Sequence, residues 1–503
     1  VKKNLFYLFF ILSNLFIIQK TSYSENQQNL FDASRKVIDE LSEQIETYTL
    51  DNGITFIFKK RSIAPVFSAV TTVGVGGVDE VKGETGISHM FEHMAFKGSK
   101  ILGGPGKDKV EQEQELLAQL EKLAEIDPTF AKLDSNQKQQ LTNIQNELAK
   151  INQVDKFSQE FEKRGSVGLN AGTDKDQTTY YVSMPKSEFE FWAAAESERL
   201  ISPVMRQFYK ERDVVLEERR MRFSDSPEGS LYEELLQKAY PNHPYGLPLI
   251  GFEQDIRNLT AKKLELFKDK YYLGSNIVIA LVGDIDTLKD IKIIDKYFGR
   301  IPYKKFYRPV IPEPEPINGQ IEFVTKKRAK PQLMIAYQKP NAPSQDDVAL
   351  TIAIDMLNGT SLAPLKHKLV KEKRIALYVS AEEAPGNRFK NLIIFSLAPS
   401  TGIENKYLLK EFDELIADSI LNFNEEQLVA SKRRIAKSYI ISLQGNMQLA
   451  TLLSNIQSQH GDWKEVFKWY DQALEVSLEE VKKESQKYLL TNNRVIGFLE
   501  ELE

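Results

Sequence analysis

The chain has 503 residues, no cysteine and a formal net charge of −5. The lack of cysteine excludes disulfides and every thiolate metal site, so the fold must rest on packing alone. Acidic and basic residues are interspersed rather than clustered, which gives no footing for a nucleic-acid partner.

Lys2 and Lys3 precede an apolar run from Leu5 to Ile18, and Ser22-Tyr23-Ser24 offers small residues at the position a signal peptidase cuts. The run has 14 residues, whereas a membrane-spanning helix needs about 20. A signal peptide over 1–24 is therefore expected, with an exported, periplasmic or secreted product and no membrane segment after cleavage. An uncleaved N-terminal anchor is the alternative.

Thr47 to Leu50 and Ile54 to Phe58 flank Asp51-Asn52-Gly53, the pattern of a β-hairpin. A further β run covers Val66 to Val75. Gly74, Gly76 and Gly77 follow without the Lys-Ser/Thr of a phosphate loop, so they read as a strand-ending turn.

The segment GISHMFEHMAFKG comes next, with His89, Glu92 and His93 in the pattern His-x-x-Glu-His. On a helix, residues four apart lie about 40° from each other, so both imidazoles can reach one metal ion and Glu92 borders the same face. This is the ligand pattern of a catalytic zinc site in the reverse order of His-Glu-x-x-His. The chain has only five histidines, which makes a chance pairing rare. A zinc peptidase is the reading these residues support.

Residues 107–160 are rich in Gln, Glu and Lys. Leu116, Leu120 and Leu123, then Leu141, Ile144, Leu148 and Ile151, recur at helical spacing, and Asp127-Pro128 separates the two sets. An antiparallel helical hairpin standing off the main body is expected, with Asp134-Ser135 capping its second helix and a spacer as its role. Docking a partner or fencing the active site is the sharper alternative.

The β pattern returns at Asn170-Ala171-Gly172-Thr173 and Gln177 to Met184. Helices over Glu188 to Leu200 and Gln207 to Arg222 follow, then His243-Pro244-Tyr245-Gly246, a helix opening at Thr260, a strand over Asn276 to Gly283, and a turn and helix to Phe298. The Pro-rich segment from Tyr307 to Pro316 reads as a stiff linker.

The two sides of this linker resemble each other. KYYLGSNIVIALV at 270–282 aligns without a gap on KYLLTNNRVIGFL at 487–499, an offset of 217 that Thr260 and Ser477 share as candidate caps. Pro65-Val66 aligns with Pro331-Gln332 at an offset of 266. The excess is close to the hairpin's length, so the first half is the same unit with an insertion. The boundaries expected are a catalytic domain at 25–306 with the insertion at about 101–164, a linker at 307–318 and a metal-free domain at 319–503. The helix after Gln345 carries no His.

A third ligand is needed, since two His and one Glu form a known zinc set. YKERDVVLEERRMR offers Glu211 and Glu218, seven apart on one helix face, with Glu217 about 100° away as the fallback.

HMFEHMAFKG, LNAGTDKDQTTYY, ERDVVLEE and HPYG resemble the pitrilysin/insulinase family of zinc metallopeptidases, nearest its mitochondrial processing-peptidase and bacterial two-domain branch. The resemblance implies an α+β fold of two homologous α/β-roll domains. It also implies one Zn²⁺ per chain held by His89, His93 and Glu218, with Glu92 as general base and Glu211 supporting the site from behind. His93 and Glu218 are 125 residues apart, longer than the family's usual spacing by about the length of the hairpin. The strand Asn170, Ala171, Gly172 and Thr173 is implied to pair with an extended peptide substrate.

The family often places an Arg and a Tyr in its second half to hold the substrate carbonyl. Here LVKEKRIALYVSA has Lys371 and Tyr378 seven apart, with Leu377 an alternative occupant of the Tyr position. Lys lacks the planar fork of Arg. A partner chain, as a homodimer or as a heterodimer with a related metal-free subunit, is expected to complete the site, with weak activity of the chain alone as the alternative. A non-catalytic scaffold and a peptide-binding chaperone are the rival functions. His243 reads as structural, and His367 and His460 as surface residues.

Overall fold

The computed structural model describes residues 35–151 and 155–502, so the signal peptide expected at 1–24 lies outside the described residues. β1 (Ile45–Thr49) and β2 (Thr55–Lys60) pair antiparallel across the Asp51-Asn52-Gly53 turn. Gly53 closes it at φ 92°, a left-handed conformation that a side chain would oppose. β3 (Val66–Val73) is buried along nearly its whole length because it lies inside the sheet. β4 (Val167–Thr173), β5 (Thr178–Pro185) and β6 (Ile277–Gly283) complete the order β1-β2-β6-β3-β5-β4.

The second sheet has the order β7-β11-β8-β10-β9. Its strands are β7 (Gln320–Lys327), β8 (Gln332–Lys339), β9 (Ala376–Ala384), β10 (Asn391–Pro399) and β11 (Arg494–Glu501). The pairings repeat those of the first sheet. β2 runs parallel to β6 as β7 does to β11, and β6-β3-β5-β4 is matched antiparallel by β11-β8-β10-β9. The α+β fold of two homologous units is thus the observed architecture, with β1 an addition to the first. The strand starts move from an offset of 266 (Val66 to Gln332) to 213 (Thr178 to Asn391), which places the insertion between β3 and β5. Residues 302–318 form no helix or strand.

Each half lends a helix to the other's sheet. The helix Asn446–His460 packs on β3 and β6, where Leu449, Ala450 and Leu453 meet Val70, Ala280 and Val282. Reciprocally, Pro227–Ala239 lies on β8 and β11, with Leu231 and Leu235 against Met334 and Val495. The apolar faces of both sheets are therefore covered by the partner half, and the two halves share their cores.

The insertion differs from the expectation. Its helices Val110–Ile126 and Ser135–Ile151 do pair, followed by a shorter helix Lys156–Glu162, but they do not stand off the body. Leu120, Leu123, Ile144 and Leu148 belong to the same core as Phe208 and Tyr209. Glu113 forms a two-pronged ion pair with Arg206 at 2.6 and 2.8 Å, with both side chains almost wholly buried. The Tyr209 hydroxyl donates to Glu121 at 2.8 Å, and Arg212 donates to the carbonyl of Pro128 at 2.8 Å. The charge-rich sequence concealed this docking because the partners of Glu113 and Glu121 are remote in the chain.

Candidate metal centre

The helix Ile87–Met94 begins where Gly86 turns the chain at φ 86°. A Cβ at that position would lie 2.1 Å from the carbonyl oxygen of Ile250, so only glycine fits. Glu80 closes the helix start, its carboxylate accepting from the backbone N–H of Gly86 (2.8 Å) and Ser88 (2.9 Å). These bonds satisfy two N–H groups that have no partner within the helix. Ile87, Met90, Phe91 and Met94 occupy the i, i+3, i+4, i+7 positions and enter the core. His89, Glu92 and His93 are left on the opposite face.

That face meets the helix Phe208–Arg219. Phe208, Arg212 and Val215 bury one side of it, and Glu211 and Glu218 project two turns apart toward the histidines. Glu218 Oε2 lies 3.6 Å from His89 Nε2 and 3.5 Å from His93 Nε2. One ligand atom from each of the three residues falls within 4.8 Å of the others. Atoms about 2.0–2.1 Å from a tetrahedral zinc are separated from each other by about 3.4 Å, so these distances fit three corners of such a site. Two imidazole nitrogens and a carboxylate oxygen are also the donors zinc takes. The fallback Glu217 is turned away, exposed and paired with Arg220 at 2.9 Å.

A second layer fixes these ligands. Glu211 Oε1 lies 2.8 Å from His93 Nδ1, and its other oxygen receives Lys97 Nζ at 2.6 Å. This leaves His93 Nε2 for a metal, as a carboxylate behind a ligating imidazole does. Arg222 holds Glu218 Oε1 at 2.9 Å and so frees Oε2. Glu92 Oε2 accepts a 2.6 Å hydrogen bond from the Thr173 hydroxyl.

The charges follow from burial and these partners. In the metal-free chain, burial and the neighbouring His93 lower His89 to about 4, so it is a neutral ligand at pH 7. Burial alone would also lower His93, but its bonds to Glu211 and Glu218 outweigh that and raise it to about 9. Burial opposes ionisation of Glu211, yet His93 and Lys97 bring it down to about 2. The bond to His93 lowers Glu218. Glu92 is raised, chiefly by burial and against the hydrogen bond from Thr173, which suits a group that accepts and returns a proton.

Asn170, Ala171, Gly172 and Thr173 lie on β4, which among the described residues pairs only with β5 and leaves its other edge open. The Ala171 N–H is held by the Asn170 side chain at 2.9 Å. Thr173, read from the sequence as part of a substrate strand, turns its hydroxyl inward to Glu92. Lys371 is exposed in the wide helical turn Lys366–Glu372. Tyr378 is half-exposed on edge strand β9 beside a bulge that accommodates Leu377. Neither side chain contacts His89, Glu92, His93 or Glu218 among the described residues.

His243 is buried away from the metal centre, its ring 4.9 Å from those of Tyr245 and Phe389. The Tyr245 hydroxyl donates to Asp176 at 2.7 Å, and Asp176 also accepts the N–H of Arg388 at 3.1 Å. The HPYG segment thus joins the two halves. The sequence reading missed Glu80, Lys97 and Arg222. Arg222 follows Glu218 by four residues, a helical spacing that could have revealed it; Glu80 carried no comparable signal.

Comparison with known proteins places this geometry among others. The family described as insulinase, peptidase family M16, matches residues 144–253, and the one described as the peptidase M16 inactive domain matches residues 258–435. The first match starts inside the insertion and leaves His89 and His93 before it. The zinc protease PqqE of Helicobacter pylori is 26% identical over 420 residues, covering 82% of this chain and 80% of that one. The uncharacterized zinc protease YmxG of Bacillus subtilis is 21% identical over 409 residues, covering 80% and 85%. Among solved structures, a protease from Helicobacter pylori superposes with a TM-score of 0.75 at 22% identity, covering 91% of this chain and 99% of its own. The periplasmic protease PqqL of Escherichia coli gives 0.69 at 15% identity, covering 91% and 48%. At these identities the structural likeness establishes the fold.

Proposed function

The chain belongs to the pitrilysin/insulinase family, peptidase family M16, and from that premise we propose that it is a zinc-dependent endopeptidase acting on peptides or unfolded polypeptide segments. The observation that carries this reading is the gathering of His89, His93 and Glu218 around one point, with Glu92 beside them on the same helix. Zinc held by these three would supply Lewis acidity toward water and the scissile carbonyl. Glu92 takes a proton from the attacking water and delivers it to the leaving amine. Thr173 steadies Glu92, Glu211 orients His93, and the open edge of β4 binds the substrate backbone as an added strand.

Glu92→Gln tests the reading. The variant should keep its zinc and lose about 10²- to 10⁴-fold in turnover of a quenched peptide. Near-normal turnover would overturn it. The Lys2-Lys3 pair and the apolar run from Leu5 to Ile18, expected to form a signal peptide over 1–24, and the likeness in fold to a periplasmic protease support a periplasmic or secreted site of action. Lys371 in place of Arg supports a second chain that completes the substrate clamp, and full activity of a sized monomer would contradict that part.

A further inference from the structure

The insertion has a consequence at the substrate edge. Leu169, Ala171 and Thr173 of β4 alternate with exposed neighbours and turn toward the metal helix, where Thr173 reaches Glu92. A peptide added along the open edge sends alternate side chains to that same side. Four residues back along β4, about 13 Å from Thr173 at strand spacing, a cleft of about 400 Å³ opens beside Leu169 and Asn170. Its opposite wall is Phe96, just past the metal helix, with Ser158 and Glu162 from the last inserted helix.

The charges around this cleft are unbalanced. Glu162 is exposed, and its carboxylate has no ion-pair partner among the described residues. The nearby cations are already engaged. Lys163 and Arg164 pair with Glu160 at 3.0 and 3.7 Å, and Arg164 also with Glu188 at 3.6 Å. Lys156 donates to the carbonyl of Gly104 at 2.9 Å, and Lys97 is held by Glu211. Phe96 and Leu169 supply apolar wall for an aliphatic stem, while Glu162 and Ser158 supply acceptors at the end.

We propose that the inserted helices build a cation-selecting substrate pocket, in which Glu162 receives the ammonium or guanidinium of a Lys or Arg three or four residues from the scissile bond. The proposal rests on the endopeptidase reading above. The first inserted helix and the turn after it are held to the helix of Glu211 and Glu218 through Tyr209 and Arg212, and Phe157 and Phe161 anchor the pocket's own helix in the core that also holds Phe208 and Tyr209.

The test uses the full chain and a series of quenched peptides that differ only by Lys, Arg, Gln, Leu or Glu at successive positions around the scissile bond. The unsubstituted chain should favour Lys or Arg at one position by about five- to tenfold in kcat/KM, carried by KM, as a part-exposed charge-assisted pair provides. Glu162→Gln should abolish that preference and Glu162→Lys should turn it toward Glu. Glu147→Gln, on the preceding inserted helix and outside the cleft, should retain it. Cleavage with the same preference in Glu162→Gln, or with no charge preference in the unsubstituted chain, overturns the pocket alone. Failure of the zinc-loaded chain to cut any peptide overturns the endopeptidase reading and the pocket with it.

Discussion

Thr173 Oγ1 donates a 2.6 Å hydrogen bond to Glu92 Oε2 and thereby ties the last residue of an edge strand to the carboxylate proposed as general base. A hydrogen bond to a charged group is worth about 1.5–3 kcal/mol. Thr173→Val keeps the shape and removes the donor. It should lower kcat by about tenfold or more with KM nearly unchanged, and Thr173→Ser should restore it. Steady-state kinetics on one quenched peptide decides the matter, and an unchanged kcat in Thr173→Val would refute the role.

The ligand set predicts a ranking of metal affinities. Glu211→Gln removes the support of His93 and should weaken zinc by about 10- to 100-fold. Glu218→Gln removes the ionised carboxylate proposed as third ligand and should weaken it further, whereas Glu217→Gln, which among the described residues pairs with Arg220, should change nothing. Competition with a chromophoric chelator measures all three, and equal losses at Glu217 and Glu218 would dismiss the assignment.

The titration of His93 sets a pH dependence. Its folded value of about 9 lies above the 6.5 of a free imidazole, so the metal-free native chain binds this proton more tightly than the unfolded chain. The stability it contributes is complete below pH 6.5 and is lost as pH rises through about 9. Zinc must displace the same proton, so affinity should climb roughly tenfold per pH unit below that value. Calorimetry at pH 7 in buffers of different ionisation enthalpy should register about one proton released per zinc bound. No release would show that His93 is already neutral.

The docked insertion predicts a stability effect that a free-standing spacer would not produce. Arg206→Met strands the buried Glu113 carboxylate and should destabilise the chain by about 3–5 kcal/mol in denaturant melts. Glu147→Gln, which removes only a surface pair with Lys150, should stay within about 0.5 kcal/mol. Equal stability of both variants would return the hairpin to a detached role.

The repeat was legible because strand composition and length survive in both halves, so β3 and β8, or β6 and β11, could be aligned from residues alone. The metal helix was legible because His89, Glu92 and His93 are local, and a helix fixes their relative directions without any tertiary information. Glu218 required a resemblance to separate it from Glu211 and Glu217. The helical period put Glu211 and Glu218 on one face but could not say which would reach the metal.

What the sequence by itself determined was the local pattern, namely two His and a Glu on one helix, an acidic helix to complement them, and a duplicated unit interrupted once. Only the tertiary structure decided how these meet. It brought Thr173 to Glu92 across 81 positions and Glu113 to Arg206 across 93, and it laid a helix from each half over the other's sheet. Periodicity reports which face of an element is apolar. The identity of the surface that covers that face is fixed by long-range packing, and no local pattern encodes it.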